Sequence, residues 1–478
     1  MIKFQPLMLV MTTALLGACS LNPVYVRPAA PVAATFAGDA TAVTGTASTS
    51  RAATDIGWRE FFPDQRLQKL IEAALANNRD LRTAALRIEE ARALYNIQSA
   101  DLLPNVNGLA NGTRARTPAS LTPFNRPVIS SSYQVGFSLA SFELDFFGRV
   151  RSLNDAALAS YLATAEAQRS AQLSLVGEVA KAYLAERGFA EQLSLAQQTV
   201  EGRQTAYDLA QQRFQVGASS EFDVRLSETL VQTARVALLT LQRQRAQSDN
   251  ALTLLVGQTL ADLPAAPLLS SQQIITTIPA GVPSDLLIHR PDILAAEQRL
   301  KSANANIGAA RAAFFPRISL TAALGTSSNA LSGLFAGGSG SWTFAPQLVL
   351  PIFDAGRNSS NLTLAQVRTN LAVSDYEKTI QTAFREVSDA LVARGALDEQ
   401  VAAQQAVVNA QAQRLKLAEL RFQNGIASTL DVVDAQRDLF SAEQSLVQTR
   451  LLRLTNAVDL YRSLGGGLRE TGPALAVQ

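Results

Sequence analysis

The chain has 478 residues, and its 42 Lys+Arg against 40 Asp+Glu leave a formal net charge of +2, which gives no electrostatic case for nucleic acid. One Cys and one His exclude a disulfide framework and a structural zinc site. The composition is 47% hydrophobic, 17% charged and 6% aromatic, which suits long helices with narrow apolar seams.

Residues 1–18 carry Lys3 and an apolar run from Leu7 to Leu16, too short to span a bilayer and read as a secretory signal. Leu16-Gly17-Ala18-Cys19 closes it and resembles the bacterial lipobox. That likeness implies cleavage before Cys19 and acylation of its sulfur and new amino group. Ser20 follows where an Asp would resemble the inner-membrane retention signal, so the outer membrane is favoured. Each buried CH₂ of an acyl chain adds about 0.8 kcal/mol of anchoring.

Residues 19–60, rich in Pro, Ala, Thr and Ser, read as an extended strap. Trp58, Phe61 and Phe62 announce a packed region. A first structural repeat follows over 61–258. A short helix, with Leu67, Leu70, Ile71 and Ala74 at helical spacing, stops near Asn77-Asn78, and a second runs near 80–101. Pro104 ends it. Strands are expected near 104–114 and 132–146; in the latter, Tyr133, Val135, Phe137 and Leu139 alternate with small or polar residues. Between them, 115–131 reads as a long exposed loop. A helix over 150–214, free of proline, would reach about 100 Å. A further helix is expected over 221–256. Residues 259–283, with four prolines, read as a linker.

The plan then repeats over 284–464. His289 reads as a structural residue before a helix near 292–314. Strands are expected near 316–326 and 341–351, and helices near 356–422 and 428–463. Trp342 and Tyr133 suit interfacial anchors. The last helix shows a period of 3.5 through Val433, Arg437, Phe440, Gln444, Val447, Leu451, Leu454, Val458 and Tyr461, as in coiled coils. Residues 465–478 form a tail.

The strongest internal signal is a turn written twice. Arg213 to Val224 reads RFQVGASSEFDV, and Arg421 to Val432 reads RFQNGIASTLDV, 208 positions later. In each, a Gly (Gly217, Gly425) suits the left-handed position that ends a helix. Ser220 with Asp223, and Ser428 with Asp431, match the capping box that starts the next helix. The pattern is a duplicated helical hairpin. Gly356-Arg357 repeats Gly148-Arg149 at the same offset.

Four strands cannot close a spanning barrel, which needs at least about eight, and an open sheet edge is not tolerated in lipid. Either the strands form a small soluble sheet, or several chains share one barrel. The sequence resembles the TolC-like outer-membrane factors, in their acylated efflux-lipoprotein branch. Carrying the resemblance are Cys19, Tyr25-Val26-Arg27-Pro28, the Trp58–Leu81 stretch, Phe142-Glu143-Leu144-Asp145 with Phe147-Gly148-Arg149, Arg290-Pro291-Asp292-Ile293, Phe315-Pro316, and the two turns with Asp434-Ala435-Gln436-Arg437 after the second.

The resemblance implies an α+β membrane protein. Three chains would give a twelve-stranded outer-membrane barrel continued by a long periplasmic α-helical barrel. It further implies a passive, non-enzymatic duct with no cofactor beyond the lipid on Cys19. Its partners would be a periplasmic adaptor and an inner-membrane pump of the resistance-nodulation-division type, with export of small molecules such as antibiotics. Adaptor docking falls on Val216, Gly217, Ala218, Ser219, Asn424, Gly425, Ile426 and Ala427, and a periplasmic gate on Leu430, Asp434 and Arg437. Asp434 and Arg437 also suit an ordinary i,i+3 ion pair. The first-repeat counterparts Phe222, Leu226 and Thr229 lack those charges. Rival readings are a duct for type I protein secretion and an acylated coiled-coil scaffold with a soluble sheet.

Overall fold

The structure is a computed structural model that describes residues 21–36, 51–123, 125–259, 263–276, 278–279, 281 and 283–470. The signal 1–18, Cys19, part of the strap and the end of the tail lie outside them. In chain order the helices and strands are α1 (Trp58–Phe61), α2 (Gln65–Asn77), α3 (Arg79–Ala100), β1 (Val106–Thr117), β2 (Val128–Leu144), α4 (Arg149–Gln215), α5 (Glu221–Val256), α6 (Pro283–His289), α7 (Pro291–Ala312), β3 (Arg317–Ser328), β4 (Gly340–Val349), α8 (Arg357–Gln423) and α9 (Thr429–Ser463). Both α4 and α8 contain 67 residues. Each follows a glycine in the left-handed region, Gly148 at φ 74° and Gly356 at φ 83°.

The chain divides into two compact units. The first takes its described residues from Met1–Ala29, Arg87–Ala165 and Ala295–Tyr376. It holds an antiparallel sheet of order β1-β2-β3-β4. In register, Gly108 faces Phe137, Phe137 faces Leu324, and Leu324 faces Trp342. Directly paired residues share a face, so one apolar row crosses the sheet. Phe137, Leu324 and Trp342 are 67%, 68% and 76% exposed, so this row is not the lid of a core within the chain. On the opposite face Gly136 meets Gly325. A Cβ on either would lie 2.3 or 2.1 Å from a carbonyl oxygen of the other strand.

The strand limits depart from the sequence expectation. The loop expected over 115–131 is shorter, because Ala115, Arg116 and Thr117 continue the ladder against Ser130, Ile129 and Val128. Backbone pairing proceeds there although Arg116, Thr117 and Ser130 are polar. The strand expected to reach residue 146 ends at Leu144, and that expected to reach 351 ends at Val349, opposite the first residue of β3. A bulge lies between Leu139 and Phe142, with Ser141 at φ 47°.

The strap is seated on α7 within the same unit. Arg27 donates to both carboxylate oxygens of Glu297, at 3.1 and 2.7 Å, and the Tyr25 hydroxyl donates to it at 3.2 Å. Lys301 adds a contact at 3.2 Å. Burial pushes the Glu297 carboxyl up, but the bonds from Arg27 and Lys301 outweigh it and hold the pKa below the ordinary value. The side chains of Asn304 and Arg311 donate to the carbonyls of Pro23 and Leu21. Asn22 fits only because position 308 is glycine: a Cβ there would stand 1.7 Å from its Oδ1.

The second unit, from Ala30–Leu86, Glu166–Leu294 and Glu377–Gln478, holds the aromatic core. Trp58, Phe61, Phe62, Tyr183 and Tyr461 are buried. The rings of Phe61 and Tyr461 stack at 3.9 Å, and the Tyr461 hydroxyl donates to the Ile56 carbonyl at 2.6 Å. Asp64 caps α2 through the Arg66 and Leu67 amides and accepts the Tyr183 hydroxyl at 2.6 Å. The strap therefore ends before residue 60, since Trp58 already belongs to this core. The expected linker is packed too, with Leu269, Ile274 and Ile278 buried, as these apolar residues can be shielded only by docking. The tail begins inside the unit, where the Tyr461 ring lies 2.2 Å from where a Gly466 Cβ would be. His289 closes α6, and the buried Arg290 beside it reaches Asp292, Glu386 and the Ser463 carbonyl.

Candidate functional site: the paired helical tips

Both duplicated turns lie in the second unit, and local chemistry builds each in the same way. Gly217 and Gly425 sit at φ 74° and 71°. The amide of Ala218 donates to the Arg213 carbonyl at 2.7 Å and that of Gly217 to Phe214 at 2.9 Å. The second turn repeats this with Ile426 to Arg421 at 2.8 Å and Gly425 to Phe422 at 3.0 Å. These are the bonds of a Schellman ending. Ser219 Oγ further donates to the Ala210 carbonyl at 3.3 Å.

The capping boxes are complete. Ser220 and Ser428 accept the amides of Asp223 and Asp431, both at 3.3 Å, and each aspartate accepts the amide of its serine in return. The Ser428 amide, then its hydroxyl, hold the Asp431 carboxyl below its ordinary pKa. At the turns Val216 and Ile426 are 78% and 68% exposed, and Gly217, Ala218, Asn424 and Gly425 are exposed beside them. Ser219 and Ala427 are half-buried. The hairpins meet where the Arg213 guanidinium lies over the Phe422 ring, 5.8 Å from its centroid.

Leu430, Asp434 and Arg437 fall at i, i+4 and i+7 on α9, one stripe of the helix. Arg437 pairs with Asp434 at 3.0 Å and with Asp438 at 3.0 Å, and Asp438 reaches Arg414 on α8 at 2.6 Å. The Asp438 carboxyl is held low by Arg414 and then Arg437; Arg437 is held above its ordinary pKa by Asp438 and then Asp434. Arg437 also falls in the expected apolar seam, but it is exposed, because its ion pairs hold it at the surface. The seam is buried at Val433, Val447, Leu454, Val458 and Tyr461. Of the first-repeat counterparts, Phe222 and Thr229 are exposed and Leu226 is half-buried.

Sequence reasoning missed Asp438 and Arg414. They are 24 positions apart on different helices, and no local pattern joins them. It also missed Arg203, a buried cation beside the Phe440 ring, whose counterpart at the 208 offset is Gln411. Among the described residues, no group of three or more His, Cys, Asp or Glu could hold a metal ion, and no helix is long and apolar enough to cross a membrane.

Comparison with known proteins agrees with this twofold plan. The family described as "Outer membrane efflux protein" matches residues 70–258 and again 282–466. The outer membrane protein OprJ of Pseudomonas aeruginosa is 48% identical over 464 residues, covering 97% of this chain and 95% of OprJ. The toluene efflux pump outer membrane protein TtgC of Pseudomonas putida is 47% identical over 470 residues, covering 98% and 97%. The open state of the Neisseria gonorrhoeae MtrE outer membrane channel superposes with a TM-score of 0.87 at 42% identity, over 95% of this chain and 100% of that one. With a duplicated half-repeat, a four-stranded sheet that bares its apolar row and two family matches that split at the linker, the chain belongs to the outer membrane efflux protein family, the TolC-like efflux factors.

Proposed function

We propose that the chain is the passive outer-membrane duct of a tripartite efflux system, and that it exports small toxic molecules and carries out no chemistry of its own. The observation that carries this is the bare row Phe137–Leu324–Trp342 on a sheet whose edges are β1 and β4. Such a face is stable against lipid, and edges of this kind must pair with another chain. Three copies of the four-stranded sheet give a twelve-stranded barrel, above the minimum of about eight.

In this reading Cys19 carries the lipid. The seating of Leu21 and Pro23 on α7 supports it, since the strap is tethered within a few residues of that cysteine. No cofactor is needed. A periplasmic adaptor docks on the tips around Val216 and Ile426, whose exposed apolar side chains suit a partner. Leu430, Asp434 and Arg437 form the gate, and an inner-membrane pump of the resistance-nodulation-division type supplies the energy.

Native mass spectrometry of the protein extracted from outer membranes tests this. Three chains, each starting at an acylated Cys19, are expected. An unacylated monomer in the soluble fraction would overturn both the anchor and the shared barrel.

A further inference from the structure

Between the two hairpins of the second unit lies a cavity of ≈ 130 Å³. Leu209, Leu230, Phe422 and Val433 make much of its wall, with Arg203 and Arg213 as cations. The one carboxylate in the lining, Asp223, is engaged in the capping box.

Arg203 is the anomaly. It is only 6% exposed; one Nη donates to the Leu230 carbonyl at 3.1 Å, the guanidinium lies 5.9 Å from the Phe440 ring, and Nε has no hydrogen-bond partner. No carboxylate lies within ion-pair distance of it among the described residues. The other buried charged side chains among them, Glu186, Arg290 and Glu297, each have a counter-ion. Burying a lone cation is costly, and burial alone pulls the pKa of Arg203 down. The duplicated fold does not demand this charge, since the matching position holds Gln411.

We propose that this cavity binds a small amphipathic carboxylate, whose headgroup supplies the counter-ion that Arg203 lacks and whose apolar body lies against Leu209, Leu230, Phe422 and Val433. Arg213, exposed and stacked over the Phe422 ring, widens the attraction for an anion at the entrance. The cationic headgroup site and apolar wall together select an acid over a neutral or cationic molecule of the same shape. The cavity and Arg203 carry this independently of the duct reading, and testing it needs no efflux.

The probes are 4-phenylbutyrate and 4-phenylbutanol, titrated calorimetrically into the detergent-purified full-length protein. Saturable binding of the acid is expected, with the alcohol weaker by about tenfold or more, as for a hydrogen bond to a charged group. Arg203→Met should abolish that preference. Leu230→Trp, which fills the cavity and keeps the cation, should abolish binding of the acid. Thermal melting of each variant establishes that it is folded. No saturable binding to the wild type, equal binding of acid and alcohol, or an undiminished preference in folded Arg203→Met would each overturn the proposal.

Discussion

Asp438 on α9 lies 2.6 Å from Arg414 on α8 and 3.0 Å from Arg437 on its own helix, tying the second hairpin together beside the Leu430, Asp434 and Arg437 stripe proposed as the gate. Asp434 pairs with Arg437 alone among the described residues. Removing Asp434 therefore leaves Arg437 paired, whereas removing Asp438 takes a partner from two arginines. Single-channel conductance in planar bilayers should rise in Asp434→Ala and rise further in Asp438→Ala. Because the folded Asp438 carboxyl titrates below its ordinary value of 3.8, its tie is fully present above that pH and is lost as pH falls through the lowered value. Wild-type conductance should be flat with pH above about 4 and climb below it, while Asp438→Ala should lack that acid limb. Raised salt should loosen these exposed pairs as well.

The tip turns are built to be sharp. Gly425 sits at φ 71° with nothing within 4 Å of where a Cβ would stand, so a substitution there is resisted by backbone strain and not by crowding. Gly425→Val should cost about 1–3 kcal/mol locally. Efflux, read as antibiotic susceptibility, should be lost while the native mass of the assembly is unchanged. Wild-type resistance in this variant would sink the docking role. Ser428→Ala, which removes half a capping box, should weaken the turn by about 1 kcal/mol and give a milder loss.

Gly325 permits the close approach of β2 and β3, since a Cβ there would sit 2.1 Å from the Val135 carbonyl oxygen. Gly325→Val should block barrel assembly, seen as loss of the heat-modifiable oligomer on gels. Gly108→Ala is the control, because nothing lies within 4 Å of its Cβ position.

Tyr461 joins the end of α9 to the strap side of the core. Tyr461→Phe keeps the stack on Phe61 and leaves the buried Ile56 carbonyl without its donor. A stability loss of about 1–3 kcal/mol is expected, read as a lower thermal midpoint with unchanged assembly. An unchanged midpoint would mean that water replaces the hydroxyl there.

The parts of the fold that follow from neighbouring residues were legible in the sequence. Gly217 with Ser220 and Asp223 spells out a helix end and a helix start within seven positions, and Gly425 with Ser428 and Asp431 spells it again. The bulge in β2 also leaves a trace: the apolar positions are odd through Leu139 and even from Phe142 to Leu144, a change of parity that marks the extra residue. Where polar residues join a ladder, as Arg116 and Thr117 do at the end of β1, side-chain alternation says little about where a strand stops. The Arg414–Asp438 tie and the lone burial of Arg203 depend on which helices become neighbours, and that is fixed by packing over hundreds of residues.

The matched length of α4 and α8 restricts how such a chain can change. Deleting one residue from a helix turns every later side chain by about 100° and draws it back about 1.5 Å. With 67 residues in each copy, a single deletion in one would carry its tip out of phase with the other, and the Arg213–Phe422 contact would be among the first lost. Only steps close to whole helical repeats, about 7 or 11 residues, restore the facing side chains, and both copies must take them. The reach of the protein is in this sense inherited in quanta, so descendants of different length should differ by paired, same-sized insertions and not by gradual drift.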